Sequence, residues 1–415
     1  MHAHSAFQPL TLPNGTVVSN RIAKAAMEEN MADADHAPSA ALMRLYQAWA
    51  GGGAGLLLSG NVMVDRRAMT GPGGVVLEDD AQLERFRDWA RIGRSGGAQF
   101  VLQINHPGRQ TPANLQQESW APSALALDLG AFSKMFALPK AMDEADIAEV
   151  VQRFARTAAL AQQAGFSGVQ VHAAHGYLLS QFLSPLSNKR ADRWGGSLEN
   201  RARLLVDVVA AVRAAVAPGF IVAVKLNSAD FQRGGFGADD AKQVVAMLEG
   251  RGVDFVELSG GSYEAPAMQG EARDGRTLAR EAYFLEFARD IAAAATMPVM
   301  VTGGIRRLEV VEQVLAGGVA FAGLATALAV EPALPRAWRD GRAPSAALPA
   351  VRWKRKPLAA LATMALVKFQ MRQLSRGRVT NPGVSPLRAL VIDQVNSARL
   401  AKQYRRWMAA RQAAA

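Results

Sequence analysis

The sequence predicts an α/β fold: a (β/α)8 barrel followed by a helical, basic C-terminal extension. Short apolar runs alternate with longer segments of helical periodicity, which gives eight β–α repeats along the chain. The apolar runs lack polar alternation, which is typical of strands buried on both faces of a parallel sheet. No Gly-x-Gly-x-x-Gly follows the first run, and this disfavours a doubly wound open sheet. We therefore expect a barrel over residues 1–343 and an extension over residues 344–415.

The predicted elements follow this hydrophobic pattern in chain order. The predicted strands cover residues 22–27, 55–60, 99–105, 168–172, 221–227, 254–260, 298–303 and 319–324. The helical patterns between them include residues 145–165, 198–216, 238–251, 283–295 and 306–317. Within the extension, the pattern predicts a helix over 357–374, a loop over 375–385 and a basic helix over 386–411.

The composition excludes several classes of protein. Of the 415 residues, 50% are hydrophobic and 20% are charged, which suits a large packed core and argues against global disorder. Cysteine is absent, and this excludes disulfides, thiolate metal sites, cysteine-held iron–sulfur clusters and cysteine catalysis. No run approaches the roughly 18 uncharged apolar residues of a membrane span, and the start lacks the pattern of a signal peptide. We expect no membrane span and a cytoplasmic location.

The positive charge of the chain belongs to the extension. Residues 351–415 contain 14 Lys or Arg and one acid, so their net charge is +13. The net charge of the whole chain is +11, so the first 350 residues carry −2. Leu358, Leu361, Ala365 and Phe369 form an apolar face, which we expect to pack on the barrel or on a neighbouring subunit, with the cations outward. A solvated charged tail is the alternative. Nucleic-acid binding is not expected, and a homo-oligomer is left open.

Polar residues and glycines follow the predicted strands, where a barrel enzyme places its active site. Gly303 and Gly304 end the seventh strand, so their backbone N–H groups can approach a phosphate. An ordinary tight turn is the alternative interpretation. Lys225 lies within an apolar strand and needs an anionic partner, either a carboxylate of the protein or a cofactor atom that carries negative charge.

A histidine–tyrosine group follows the fourth strand. His172 and His175 can direct their N–H groups at one oxygen and polarise it, while the Tyr177 phenol can deliver a proton. Zinc is a rival interpretation if His106 supplies a third ligand, although no cysteine is available. A purely structural histidine pair gives no reason for Tyr177 at the same strand end. We expect an organic active site without a metal.

Several longer motifs carry a resemblance to a known family. They are Asn20-Arg21-Ile22, residues 103–109, residues 172–177, the Arg-x-Asp-Arg-Trp-Gly-Gly-Ser-Leu-Glu-Asn-Arg segment at 190–201, and Thr302-Gly303-Gly304-Ile305. Over roughly residues 5–342 the chain resembles the Old Yellow Enzyme family of NAD(P)H:flavin oxidoreductases, near its 2,4-dienoyl-CoA reductase-like branch. The resemblance implies a barrel that binds FMN, with NADH or NADPH as a transient reductant. It also implies hydride transfer from flavin N5 to the C=C bond of a small α,β-unsaturated carbonyl substrate.

The resemblance also implies a role for individual residues. Gln103 would bind the flavin pyrimidine edge, and Lys225 would lie near flavin N1 and O2. Gly303 and Gly304 would bind the phosphate. His172 and His175 would hold the substrate carbonyl, with Tyr177 as the proton donor.

Two positions depart from the family pattern. In Ala26-Met27-Glu28, the glutamate replaces a small residue that tunes the flavin. Ala325-Thr326 stands where the family has a Gly-Arg phosphate clamp. The branch with an iron–sulfur domain is excluded because the chain has no cysteine.

Three alternative functions share parts of this pattern. A tRNA dihydrouridine synthase is also an FMN barrel with a basic helical C-terminal region, but it uses a cysteine that this chain lacks. A flavin-dependent dehydrogenase or demethylase would run the reverse oxidation at the same site. A flavin-binding protein without activity is disfavoured because the catalytic group is intact. The physiological substrate and the choice between NADH and NADPH do not follow from the sequence.

Overall fold

Eight parallel strands close into a barrel in the computed structural model, which describes residues 4–266, 282, 284–344 and 346–414. The strands are β1 Ile22–Lys24, β2 Leu56–Leu58, β3 Gln99–Asn105, β4 Gly168–Ala173, β5 Ile221–Asn227, β6 Phe255–Ser259, β7 Val299–Thr302 and β8 Phe321–Leu324. Each pairs in parallel with the next, and β8 pairs with β1, so these eight strands form a closed ring. The predicted (β/α)8 barrel is confirmed.

Helices surround the barrel and connect consecutive strands. They are α1 Ala40–Ala50, α2 Leu83–Arg94, α3 Glu144–Gln163, α4 Leu198–Ala215, α5 Ala238–Leu248, α6 Leu285–Ala292 and α7 Leu308–Ala316. A short helix, Leu178–Leu183, lies between β4 and α4, and α8 Thr326–Val330 and α9 Leu334–Arg339 follow β8. Local signals fix where these helices begin. Asp143 and Asp146 form a reciprocal capping box, for example, and this explains the start of α3 at Glu144.

The barrel interior is apolar towards the N-terminal ends of the strands, called the bottom here, and polar towards their C-terminal ends. Inward side chains come from alternate residues of each strand. At the bottom, a hairpin of Leu10–Thr11 with Val17–Val18 brings Leu12 and Val18 against interior residues such as Phe255 and Phe321. Further along β3 to β7 the inward positions become polar, at the end where the loops carry the predicted site residues.

The extension forms two helices that pack on the barrel of the same chain. They are α10 Lys356–Leu374 and α11 Pro386–Ala414, in close agreement with the predicted ranges. The helix α10 contacts α1, α8 and α11, which confirms that the first tail helix packs on the barrel. The predicted face is rotated, however. Ala365 is buried, but Leu358, Leu361 and Phe369 are only half-buried.

Small residues explain the rotation of this face. The fully covered side of α10 includes Ala359, Ala362 and Leu366. Alanine side chains allow the helix to approach its neighbours closely, so they occupy the inner side while larger residues flank it. No helix among the described residues is long and apolar enough to cross a membrane.

Candidate functional site

A polar layer caps the apolar interior at the C-terminal ends of the strands. Gln103 Nε2 donates to Gln170 Oε1 over 2.7 Å, and Gln170 Nε2 donates to Glu257 Oε2 over 2.8 Å. The Thr302 hydroxyl donates to Glu257 Oε1 over 2.7 Å. These side chains come from β3, β4, β6 and β7, and the first three residues are buried. The hydrogen bonds give the site a floor of fixed donors and acceptors.

Lys225 belongs to the same layer and has an anionic partner within the protein. Its Nζ lies 2.8 Å from Glu257 Oε1, and both side chains are almost completely buried. Of the two anionic partners predicted for Lys225, the structure therefore shows the carboxylate of the protein. The pairing offsets the cost of burying each charge. Glu257 lies between apolar residues of β6, a pattern that does not distinguish it from a surface acid in the sequence.

The two predicted histidines lie side by side above this floor. The ring centroids of His172 and His175 are 5.1 Å apart, with the planes inclined at 75°. His175 has a φ of 61°, an uncommon backbone conformation for a non-glycine residue. Its backbone is held on both sides, because its N–H donates to Asn227 Oδ1 over 3.0 Å and its carbonyl accepts from Gln110 Nε2 over 3.1 Å. The imidazole is thus placed by a strained turn that two side chains stabilise.

Burial keeps both imidazoles neutral, and their hydrogen-bond partners determine which ring nitrogen carries the proton. Burial is the main cause that lowers the pKa of His172 and of His175 well below the ordinary value, and Lys225 lowers both further. His172 Nδ1 accepts the Ala174 N–H over 3.2 Å, so the ring proton lies on Nε2. His175 Nε2 lies 2.8 Å from Ser259 Oγ. If this hydroxyl donates, His175 keeps its proton on Nδ1, and each imidazole has one N–H to offer.

A pair of phenols completes the group. Tyr177 meets His172 edge to face, with ring centroids 4.9 Å apart. Its Oη lies 3.1 Å from Tyr263 Oη and 3.4 Å from Asn61 Nδ2. Burial first, then the neighbouring charges, raises the pKa of Tyr177 and of Tyr263 well above the usual phenol range. Both phenols therefore keep their protons at neutral pH. Tyr263 follows the predicted sixth strand, but the sequence alone gave no reason to single it out.

Two loops form a wall beside the phenols. The Arg109 guanidinium binds Glu264 with a 2.5 Å contact, and Glu264 also accepts the Asp128 N–H over 2.8 Å. Phe136 packs on Tyr263, with centroids 5.8 Å apart. These contacts join residues 124–142 to the start of segment 263–283. Both segments are expected to shape the substrate pocket, but residues 267–281 and 283 lie outside the described residues.

The predicted phosphate-binding residues lie at the ends of β7 and β8. Gly304 has a φ of 72°, a conformation that glycine adopts readily, and it is exposed two residues after the end of β7. Gly303 beside it is buried. Ala325 precedes α8, and Thr326 is exposed at the first position of that helix. At Ala325-Thr326 the chain therefore offers backbone N–H groups and the Thr326 hydroxyl, where the family pattern has the guanidinium of an arginine.

The end of β1 carries the other departure from the family pattern. Ala26 and Met27 are half-buried, and Ala26 packs against the interior cluster. The Glu28 side chain is 17% exposed, and it accepts a hydrogen bond from the Thr70 hydroxyl. Glu28 is therefore a largely covered residue at the mouth of the barrel. An acid on the open surface would be far more exposed.

The third histidine of the zinc interpretation packs against a tryptophan. The ring of His106 stacks on Trp120 with a centroid distance of 6.1 Å, and its Nδ1 accepts the Gly108 N–H over 3.1 Å. Burial lowers the pKa of His106 to about 4. Among the described residues no group of three His, Asp or Glu side chains could hold a metal ion. The geometry gives the zinc interpretation no support.

Comparison with known proteins supplies the family. Residues 5–344 match the model of the NADH:flavin oxidoreductase / NADH oxidase family. The chain belongs to this family. It is accordingly an FMN-dependent oxidoreductase of the Old Yellow Enzyme type that takes electrons from NAD(P)H.

Individual relatives agree with this membership. The NADH-dependent flavin oxidoreductase iliE of Neonectria sp. (strain DH2) is 41% identical over 354 residues, which cover 79% of this chain and 46% of that protein. The protein of the same name from Hypocrea jecorina (strain QM6a) is 36% identical, over 79% of this chain and 87% of its own length. A solved Old Yellow Enzyme homologue from Zymomonas mobilis superposes with a TM-score of 0.69 at 25% identity, covering 81% and 93% of the two chains. This chain thus spans less than half of the first relative and most of the second.

The residues present fit FMN. The Gln103 amide and the Lys225 ammonium suit the carbonyl and nitrogen edge of a flavin, and the exposed Gly304 turn suits its phosphate. Above the floor, Asn61 Oδ1 and both amide atoms of Asn105 are buried without a hydrogen-bond partner among the described residues. Buried polar atoms of this kind need a partner, and a polar ring bound at the strand ends would supply one.

Neutral histidines predict a pH dependence of stability. In the unfolded chain each histidine takes up a proton below about pH 6.5, whereas the buried pair does not. The free energy of unfolding should therefore fall as the pH decreases, by up to roughly 1.4 kcal/mol per pH unit for each of these histidines. Urea unfolding between pH 7.5 and 5.5 should show a smaller decline for the variant His172→Asn/His175→Asn than for the wild type. Equal declines would mean that the pair is protonated in the folded protein.

Proposed function

We propose that this enzyme reduces the C=C bond of α,β-unsaturated carbonyl compounds with electrons from NAD(P)H. The observation that carries the proposal is the group at the end of β4, where two neutral imidazoles lie beside a protonated phenol above a polar floor. Such a group can bind a carbonyl oxygen and protonate a neighbouring carbon, which are the two tasks that the protein must perform in this reaction.

The imidazoles act on the carbonyl oxygen. His172 donates through Nε2, and His175 through Nδ1 when Ser259 donates to its other nitrogen. Bound FMN would supply a hydride from its N5 to the β-carbon of the substrate. Negative charge then develops on the carbonyl oxygen, and the two fixed N–H groups stabilise it. Because they are oriented before the reaction, little reorganisation is required.

The phenols act on the α-carbon. Tyr177 is held by contact with His172 and by hydrogen bonds to Tyr263 and Asn61. Because its pKa is high, the Tyr177 phenol remains protonated at neutral pH and can donate its proton. Solvent can return the proton after turnover.

A set of residues around the polar floor would hold the cofactor. Gln103 and Lys225 would bind the pyrimidine edge of FMN, and the backbone of Gly303 and Gly304 would bind its phosphate. The strand ends that would border the ring and the phosphate are formed by Ala26, Met27, Glu28, Ala325 and Thr326.

Anaerobic reoxidation tests the proposed reaction. The purified enzyme should be reduced by NADH or NADPH without oxygen and then mixed with 2-cyclohexenone. We expect the yellow flavin absorbance to return and, in deuterium oxide, one solvent deuteron to appear on the α-carbon of the product. A panel of enals, nitroalkenes and dienoyl thioesters would define the substrate class. Failure of every unsaturated acceptor, with normal reoxidation by oxygen, would contradict the proposal.

The alternatives make different predictions in the same assay. A dehydrogenase or demethylase would bleach the flavin when an amine or a saturated substrate is added to the oxidised enzyme. A tRNA dihydrouridine synthase would reoxidise with tRNA and would not respond to enones. Membership of the present family and the histidine–tyrosine group disfavour the tRNA-modifying alternative. The direction of electron transfer in this assay distinguishes enone reduction from the reverse oxidation.

A further inference from the structure

A lysine of the C-terminal extension reaches the mouth of the barrel. Most cations of the extension are exposed, but Lys368, near the middle of α10, turns inward and its side chain is only 14% exposed. Its Nζ donates to Asn30 Oδ1 over 2.6 Å and lies 3.9 Å from Glu28 Oε2. This contact joins the glutamate after β1, which departs from the family pattern, to the C-terminal extension.

The Glu28 carboxylate is held from two sides. The Thr70 hydroxyl donates to one oxygen, and Lys368 lies near the other. The neighbouring loop packs closely, because a Cβ added at Gly71 would lie 3.4 Å from Glu28 Oε1 and 3.0 Å from Asn30 Nδ2. The carboxylate therefore has little freedom to turn away from the barrel mouth.

The negative charge of Glu28 acts on the catalytic group. Burial is the main cause of the raised pKa of Tyr177 and of Tyr263, and the charge of Glu28 raises both further. Its field thus reaches both phenols. The same field would disfavour negative charge on any ring bound above the polar floor, unless a cation balances it.

We propose that Lys368 is a positioning residue of the flavin site, which holds Glu28 in place and balances its charge. The proposal rests on the proposed function in so far as the flavin lies at these strand ends. A barrel with a glutamate after β1 gains a balancing cation when α10 packs against it. The extension thereby becomes part of the active site and sets how readily the bound flavin accepts electrons.

Redox titration of the bound flavin tests this proposal. We expect Lys368→Met to lower the flavin midpoint potential, because the Glu28 charge is then left unbalanced. Glu28→Gln should raise the potential, and Glu28→Gln/Lys368→Met should return it towards the wild-type value. Lys368→Arg keeps the charge and should stay near the wild type. Lys402→Met is the matched control, since it removes an exposed cation from the same extension and should leave the potential unchanged.

Stability measurements complete the test. If Lys368 holds Glu28, the effects of the two substitutions on the thermal unfolding temperature should not be additive. Lys368→Met should lower this temperature less in the Glu28→Gln protein than in the wild type. An unchanged potential in Lys368→Met, or equal shifts in Lys368→Met and Lys402→Met, would overturn the proposal. If Lys368→Met loses FMN, the Glu28→Gln/Lys368→Met protein should bind it again; failure of this rescue would also overturn it. None of these readings uses an enone, so the result is independent of the outcome of the turnover screen.

Discussion

Replacing either histidine of the pair should lower enone reduction by about 10²-fold or more. In His172→Ala and His175→Ala one N–H donor to the substrate oxygen is lost, and a single preorganised donor to a developing oxyanion is worth roughly that factor. The loss should appear in the reoxidation of reduced enzyme by 2-cyclohexenone, measured by anaerobic stopped-flow absorbance. The reduction of the flavin by NAD(P)H should be affected less, because it creates no charge on the substrate oxygen that the two histidines bind.

A buried histidine outside the pair provides the control. His106 is also neutral and buried, but its ring stacks on Trp120, whereas the rings of the pair contact each other. His106→Asn should therefore keep near-normal enone reduction once its stability is accounted for. Near-normal turnover in both pair variants would show that the substrate oxygen binds elsewhere. Equal losses in all three variants would indicate a general loss of packing instead of a catalytic role.

The sequence predicted the barrel because its signals are local and repeated. The strands are rich in Val, Leu, Ile and Ala and are buried on both faces, and most of them are followed by polar or glycine residues at the barrel mouth. His172, His175 and Tyr177 follow a single strand, so their proximity was foreseeable from spacing alone. The structure adds how they are held: a left-handed turn at His175 and a neighbouring hydroxyl on Ser259.

The partners of these residues depend on strand order and register, which no local pattern reveals. Glu257 meets Lys225 only because β6 pairs with β5 in that register. Tyr263 meets Tyr177 across two loops that are 86 positions apart in the chain. In the extension, periodicity predicted both helices, but the choice of inner face was made by close packing of alanines. Lys368 turned inward because its anionic partner lies on the barrel, more than 300 residues away.

Removing the extension should destabilise the barrel. The last turns of α11 cover loops at the barrel mouth, where Tyr404 and Trp407 pack with Met63, Met69 and Leu115. The Tyr404 hydroxyl also donates to the Arg66 carbonyl over 2.7 Å. A chain that ends at Pro349 would expose these three barrel side chains. Because burial of each stabilises the protein by roughly 1.5–3 kcal/mol, the melting temperature should fall by about 5 °C or more.

Thermal unfolding of three chain lengths distinguishes packing from charge. A chain that ends at Arg411 loses only the last four residues and should melt like the full chain. Trp407→Ala in the full chain removes one of the covering rings without changing the net charge, and it should reproduce part of the loss. Size-exclusion chromatography of the same proteins would report any change of assembly. If the chain ending at Pro349 melts like the full protein, the contacts of α10 and α11 do not stabilise the barrel. In that case, tight tRNA binding by the full chain at moderate salt would mean that the +13 charge of the extension serves to bind nucleic acid.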